Sequence, residues 1–363
     1  MTVSEDATNE PAAWQGVIRR YAAHLPVGDS TPIVSLLEGN TPLIRADRLA
    51  REIGGDIELH LKYEGLNPTA SFKDRGMTLA VSKAVERGAE VVVCASTGNT
   101  SASAAAYAAR AGLKCAVLLP HGKIAQGKLA QALMHGATTV AIEGNFDDAL
   151  RIVRKLGETG QVEVVNSINP VRIEGQKTAA FEVVDQLGQV PDFHLLPVGN
   201  AGNITAYWRG YREYRDAGLA MAVPRMFGFQ AANAAPLVDG RPIENPRTVA
   251  TAIRIGNPAS WDGAVNALKE SNGHIAKVTD EAILAAYKLA ARTEGVFAEP
   301  ASAASLAGLI QSVRDNLIPA GSRVVATLTG HGLKDPDNAI SVAGFEPTVV
   351  APETDAVKRV IGL

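Results

Sequence analysis

Short aliphatic runs alternate with segments of 3.6-residue apolar period along most of the chain. The pattern predicts strands at 91–95, 114–119, 139–142 and 163–165, separated by helices at 100–111, 127–135 and 146–156. It continues with a helix at 175–187, a strand at 194–198, a helix at 203–215 and a strand at 225–230. Pro236, Pro242, Pro246 and Pro258 interrupt the stretch 231–274, which is expected to be irregular. Helices return at 280–292 and 300–314, a last buried strand is expected at 323–328, and a short helix at 354–360. Upstream, a short helix is expected near 16–23, a strand running into a helix within LLEGNTPLIRADRLA, and a further strand within DIELHLKY. Aliphatic strands separated by helices mark parallel sheets assembled from βαβ units, so the expected class is α/β.

Composition narrows the function classes. Hydrophobic residues make up 46% of the chain and aromatic ones 5%, so the core must be aliphatic. The net charge of −3 and the absence of Lys/Arg blocks argue against a nucleic-acid partner. No apolar run approaches the roughly 18–20 residues that a membrane span needs, so no membrane partner is expected. Cys94 and Cys115 each sit in an apolar run, where cysteine behaves as a small hydrophobe. Two such residues make no disulfide framework and fit a reducing compartment. The start, MTVSEDATNEPAAW, lacks the apolar segment of a secretory signal, and a cytoplasmic protein is expected.

Candidate chemistry begins at SFKDRG, residues 71–76, between a proline-containing loop and a helical pattern in which Met77, Ala80, Val81, Ala84 and Val85 share a face. This puts Lys73 in a first helical turn, where the helix dipole and partial desolvation disfavour its ammonium and free the amine. By itself such a lysine is more often one of a solvated charge cluster. Three loops that follow predicted strands change the weighting, because such loops line the ligand crevice of a parallel sheet. STGNTSAS, residues 96–103, is denser in hydroxyls than helix capping requires. PVGNAGNIT, residues 197–205, can converge backbone N–H groups on a phosphate, although it fits a plain turn equally well. TGHGLKD, residues 329–335, offers the Thr329 hydroxyl, and the role of His331 stays open. In NSINPVRIEGQKT, residues 166–178, Arg172 with Ser167 and Asn169 can clamp a phosphate or carboxylate, or else pair with Glu174 at the surface.

In this order and with these spacings, SFKDRG, STGNTSAS, NSINPVRIEGQKT, PVGNAGNIT and TGHGLKD resemble the threonine synthases of the fold-type II pyridoxal-phosphate family. EGNTPL near the start and VFAEPASAAS at 296–305 extend the resemblance, which runs from about Glu38 to Asp335. Related dehydratases are less similar, since they tend to lack the DRG after SFK and to carry successive glycines in the phosphate loop.

The resemblance implies two open, twisted, mainly parallel sheets flanked by helices, as in the tryptophan synthase β-like fold. A large domain of residues 16–75 and 163–345 and a small mobile domain of 76–162 would lie between a flexible lead (1–15) and a tail (346–363). The implied cofactor is pyridoxal 5′-phosphate, with Lys73 as its Schiff-base lysine and catalytic base and Phe72 beside it. The backbone of Gly199, Asn200, Ala201, Gly202 and Asn203 would hold the cofactor phosphate, Asn99 would bond the ring hydroxyl and Thr329 would face the pyridine nitrogen. Ser96, Thr97 and Thr100 would take the substrate carboxylate, and Ser167, Arg172 and Asn200 would approach its phosphate. The implied substrate is O-phospho-L-homoserine, converted with water to L-threonine and phosphate by γ-elimination and β-addition. A homodimer is implied, and no metal site. The alternatives are a serine or threonine dehydratase with the same lysine, and a phosphate-ligand binding protein without the covalent chemistry.

Overall fold

Two sheets organise the chain in the computed structural model, which describes residues 13–96, 98–121, 126–144, 146–344 and 347–363. The larger contains β1 (Leu43–Arg45), β2 (Glu58–Tyr63), β7 (Phe193–Pro197), β8 (Arg225–Ala231), β9 (His274–Val278) and β10 (Arg323–Leu328), in the order β1-β2-β10-β7-β8-β9. Only β1 is antiparallel, on one edge. The smaller contains β3 (Val91–Ala95), β4 (Lys114–Pro120), β5 (Thr138–Ile142) and β6 (Glu163–Val164), in the order β5-β4-β3-β6, all parallel. The α/β reading of the sequence therefore holds.

Helices cover both sheets. α1 (Val17–Arg20) and α2 (Asp47–Ile53) precede α3 (Lys73–Glu86). α4 (Asn99–Ala111), α5 (Gln126–Met134) and α6 (Phe146–Glu158) connect strands of the small sheet, and α7 (Pro170–Leu187) returns the chain to the large one. α8 (Gly202–Asp216), α9 (Pro236–Asp239), α10 (Trp261–Glu270), α11 (Asp280–Glu294) and α12 (Pro300–Arg314) serve the large sheet; α13 (Pro336–Ala343) and α14 (Thr354–Ile361) follow. Because parallel sheets are covered on both sides, their strands are apolar throughout rather than alternating. β7 illustrates this: Leu195 points into one core with Phe229 and Leu306, whereas Leu196 points into the other with Phe181 and Tyr207. In the small sheet Cys94 and Val117 face one core, Val93 and Leu118 the other. Both cysteines are buried and free, and burial raises both thiols.

Three expectations shift. The stretch 231–274 is not irregular throughout: α10 starts after the last proline, and β9 adds an edge strand to β8. The edge strand is only partly buried and carries His274 and Lys277, so it lacks the aliphatic signature of its neighbours. β6 pairs with β3, which places residues 163 and 164 in the small sheet rather than in the large unit. Finally, α7 begins at Pro170 rather than at 175, because the Asn169 side chain accepts from Val171 N at 2.9 Å and Pro170 occupies the first turn. Arg172 thus lies in the first turn of a helix and not in a loop. Thr97 and the lead 1–12 lie outside the described residues.

Candidate active site

Helix α3 carries Lys73 as its first residue, and the loop before it is pinned to the end of β10. Phe72 N donates to Thr329 O at 3.0 Å and His331 N to Ala70 O at 3.0 Å, with Ser71 and Gly330 forming an antiparallel bridge. SFKDRG and TGHGLKD are therefore in contact although some 250 residues separate them. Lys73 Nζ sits 4.2 Å from the centroid of the Phe72 ring. Burial, reinforced by the Arg172 guanidinium and opposed by Glu299, pushes the Lys73 amine down to about 7. A large part of the amine is thus unprotonated at neutral pH, as a nucleophile or base requires.

Asp74 faces the other way. Its carboxylate accepts from Thr69 N (2.7 Å), Thr69 Oγ1 (2.5 Å) and Ser103 Oγ (2.6 Å), which ties α3 to α4 and hence to the 96–103 loop. Burial raises its carboxyl to about 6 against the pull of these bonds. Arg75 belongs to a buried ionic network and not to a solvated cluster. Its guanidinium bonds Glu64 at 2.6 and 2.7 Å and Glu182 at 2.7 and 2.6 Å, while Lys62 Nζ donates to Glu182 at 2.9 Å. Burial would raise the Glu182 carboxyl, but Arg75 and Lys62 outweigh it and hold it at about 2. The network clamps α3 to β2 and to α7.

Two glycines bring α3 and α7 together. A Cβ on Gly175 would lie 2.0 Å from Arg75 O, and one on Gly76 2.8 Å from Arg172 O. The backbones touch, which delivers Arg172 to the Lys73 side of α7. Arg172 is 1% exposed. Its Nη1 donates to Val165 O at 3.3 Å, yet Nε and Nη2 find no hydrogen-bond partner. Burial, opposed by Cys94 and Asp74, lowers its guanidinium to about 10. The surface pairing with Glu174 does not occur, since Glu174 bonds Lys177 and Arg209 instead. A buried, half-satisfied guanidinium in the first turn of a helix, with no acidic residue in that turn, is built for an anion.

A second anion cradle opens α8. Ala201 adopts φ 64°, ψ −1° ahead of the helix, which has no side-chain cap, so the first N–H groups of α8 point outward unsatisfied by the helix itself. A left-handed alanine is costly and persists where the surroundings enforce it. A Cβ on Gly199 would approach Ile253 Cα to 3.0 Å, so the loop has room for backbone only. Asn203 is buried, and its Nδ2 has no partner. Asn200 is engaged elsewhere: its Oδ1 accepts from Ala259 N at 3.4 Å and its backbone O from Ser260 N at 3.0 Å. These features fit a phosphorylated cofactor, with an amine to bind it covalently and an open helix N-terminus for its phosphate.

The remaining expected residues lie on strand-to-helix turns and first helical turns of the two sheets. Ser96 Oγ accepts from Gly98 N at 3.2 Å, and Ser101 Oγ donates to Gly98 O at 2.8 Å, so two of the loop hydroxyls shape the turn itself. Thr100 lies in the first turn of α4, and Ser167 in the turn between β6 and α7. Asn99 donates from Nδ2 to Glu299 at 3.1 and 3.3 Å, and Thr329 Oγ1 lies 3.0 Å from Ser302 Oγ. His331 is structural: it stacks on Tyr63 and its Nδ1 accepts from Leu333 N at 3.1 Å. Sequence reasoning passed over Glu299, Ser302 and Lys334. Lys334 Nζ donates to Gln131 Oε1 on α5, tying the segment after β10 to a helix of the small sheet. For Glu299 the available signal was a carboxylate before a proline that opens an alanine-rich, largely buried helix.

The family model described as pyridoxal-phosphate dependent enzyme matches residues 34–330. The threonine synthase of Mycobacterium tuberculosis is 60% identical over 365 residues, covering 100% of both chains. The threonine synthases of Synechocystis sp. (58% over 350 residues; 96% of this chain, 91% of the relative) and Methanocaldococcus jannaschii (52% over 351 residues; 94% and 86%) are similar in the same way. Among solved structures, the processed form of threonine deaminase isoform 2 from Solanum lycopersicum superposes with a TM-score of 0.73 at 21% identity, covering 85% of this chain and 83% of that one. That likeness speaks for the fold alone.

Proposed function

Since the chain belongs to the pyridoxal-phosphate dependent enzymes, and among them to the threonine synthases, we propose that its active site is the crevice framed by Lys73, Arg172, the 199–203 loop and Thr329. Its substrate on this reading is O-phospho-L-homoserine. The observation that carries the assignment is Arg172, a fully buried guanidinium with Nε and Nη2 unpaired. An enzyme acting on an unphosphorylated amino acid would have no use for that cation, whereas a substrate phosphate satisfies it.

The cofactor is pyridoxal phosphate, which supplies an electron sink for carbanion chemistry at the substrate. Gly199, Ala201, Gly202 and Asn203 would hold its phosphate through backbone N–H groups and the Asn203 amide. Asn200, whose side chain turns to Ala259, assists through its backbone. Asn99 would bond the ring hydroxyl and Thr329 would face the ring nitrogen, with Phe72 packed beside Lys73. Lys73 would hold the cofactor covalently, and its amine, when free, would take the proton from the substrate Cα and then one from Cβ. Arg172 draws off the phosphate as it leaves Cγ, with Ser167 nearby. Lys73 would return one proton to Cγ; water then gives its OH to Cβ and its proton to the released phosphate, and Lys73 returns the second proton to Cα to give L-threonine. Ser96, Thr97 and Thr100 hold the substrate carboxylate with neutral donors, leaving Lys73 as the single shuttling base.

The small unit, residues 76 to about 164, moves against the large one, residues 16–75 with about 165–345, to close the crevice. Two copies associate as a homodimer, consistent with the twofold preference of soluble enzymes. Two free buried cysteines and no helix among the described residues long and apolar enough to cross a membrane accord with a cytoplasmic location. The test is spectroscopic: the purified protein should take up pyridoxal phosphate with a visible absorption band that Lys73→Ala abolishes. A protein that stays colourless would overturn the assignment.

A further inference from the structure

Glu299 precedes α12 in extended backbone and makes no side-chain cap hydrogen bond to the helix it opens. It is 5% exposed. Its carboxyl instead receives Asn99 Nδ2 at 3.1 and 3.3 Å, and Thr329 Oγ1 lies 3.5 Å from Oε1. Asn99 opens α4 of the small unit, whereas Thr329 follows β10 of the large one. A single buried carboxyl thus touches the two residues assigned to the hydroxyl and the nitrogen of the cofactor ring, one at the start of α4 and one after β10. Burial raises this carboxyl, opposed by Asn99, Lys334 and Lys73.

An asparagine amide nitrogen carries two hydrogens in one plane; when one is directed at Glu299, the direction of the other is fixed. Ser302, one turn into α12, accepts from Gly330 N at 3.0 Å and lies 3.0 Å from Thr329 Oγ1. Having accepted from Gly330 N, the Ser302 hydroxyl has one proton, shared between Gly330 O at 3.3 Å and the closer Thr329 Oγ1; given to Thr329, it leaves the Thr329 proton to turn between Glu299 Oε1 at 3.5 Å and the ring. A carboxyl buried only to close the helix would cost stability, with the Asn99 amide its one close donor.

We propose that Glu299, together with Ser302, is a positioning residue that fixes the Asn99 amide and the Thr329 hydroxyl toward the cofactor ring across the junction of the two units. This rests on the active-site assignment above. The test compares wild type, Glu299→Ala, Glu299→Gln, Asn99→Ala and Asn99→Ala/Glu299→Ala as holoenzymes, reading the position of the visible cofactor band, the cofactor dissociation constant, and kcat and KM for phosphate release. Glu299→Ala should move the band and weaken cofactor binding about tenfold, the size of one hydrogen bond to a charged group. Its kcat should fall by a similar or larger factor while KM changes less than about threefold, and Glu299→Gln, which keeps one acceptor, should recover part of each loss. In the Asn99→Ala background the same substitution should cost less than about threefold more, since the partner is gone. An unmoved band and unchanged cofactor affinity in Glu299→Ala, or losses that multiply fully with Asn99→Ala, would overturn the proposal; if Glu299→Ala does not fold, Glu299→Gln decides by the band and cofactor affinity. A wild type without the band would defeat the active-site assignment, whereas a normal wild-type band with unmoved variants would defeat this proposal alone.

Discussion

Replacing Arg172 by methionine should damage catalysis and stabilise the cofactor-free protein at the same time. The side chain is 1% exposed, and two of its nitrogens have no partner. Charge-assisted bonds from such groups contribute about 1.5–3 kcal/mol each. Two of them made to a substrate phosphate amount to about 3–6 kcal/mol, or roughly two to four decades in kcat/KM. The stability effect has the opposite sign. Burial lowers the guanidinium to about 10, and a depressed folded-state value for a cation means that the charged form is strained at every pH below it. A drop of that size corresponds to roughly 3 kcal/mol at neutral pH. Methionine of similar length removes the strain and forfeits the bond to Val165 O at 3.3 Å, worth about 1 kcal/mol. The net expectation is a gain of about 1–2 kcal/mol, read from urea unfolding of the cofactor-free protein at pH 7. Inorganic phosphate should stabilise the wild type more than the variant. An Arg172→Met protein that unfolds earlier than wild type, yet turns over phosphohomoserine within threefold, would refute the reasoning.

Other perturbations follow from the same geometry. Lys73 is lowered to about 7 in the fold, so the folded state binds fewer protons than the unfolded chain between about pH 7 and the ordinary lysine value. The stability of the cofactor-free wild type relative to Lys73→Met should therefore rise with pH across that window, and a flat difference would contradict the shift. Gly175→Ala forces a Cβ to 2.0 Å from Arg75 O and should destabilise by about 1–3 kcal/mol or more, measurable as a lower urea midpoint. Arg75→Met leaves Glu64 without its cation and Glu182 with Lys62 alone, and should cost about 3–5 kcal/mol at pH 7. Glu182, held at about 2 in the wild type, lends stability that is present above the ordinary glutamate value and is lost as pH falls toward about 2. Acid titration of stability over that range should accordingly be shallower in Arg75→Met than in wild type.

Much of this architecture was legible in the chain, because apolar period and turn chemistry are local. The strand at 91–95 and the helix at 300–314 fall where the pattern put them, and SFKDRG opens a helix as expected. What escaped depends on partners distant in sequence. Arg75 looks like a surface charge until Glu64 and Glu182, 11 and 107 residues away, close around it. Glu299 looks like an ordinary residue before a proline until Asn99, 200 residues away, meets it. Asn169 was a candidate phosphate ligand and is a helix cap, since one side-chain type serves both uses. β9 escaped because a half-exposed edge strand does not carry the aliphatic run that buried parallel strands do.

The central claim is that one crevice, with Lys73 as its base and Arg172 as its anion clamp, releases phosphate and makes threonine. It is tested most directly by measuring both products from O-phospho-L-homoserine with the pyridoxal-phosphate-loaded protein. The account predicts equal amounts of phosphate and L-threonine from wild type, and neither from a folded Lys73→Ala variant. Phosphate without threonine, or threonine formed unchanged by Lys73→Ala, would contradict it.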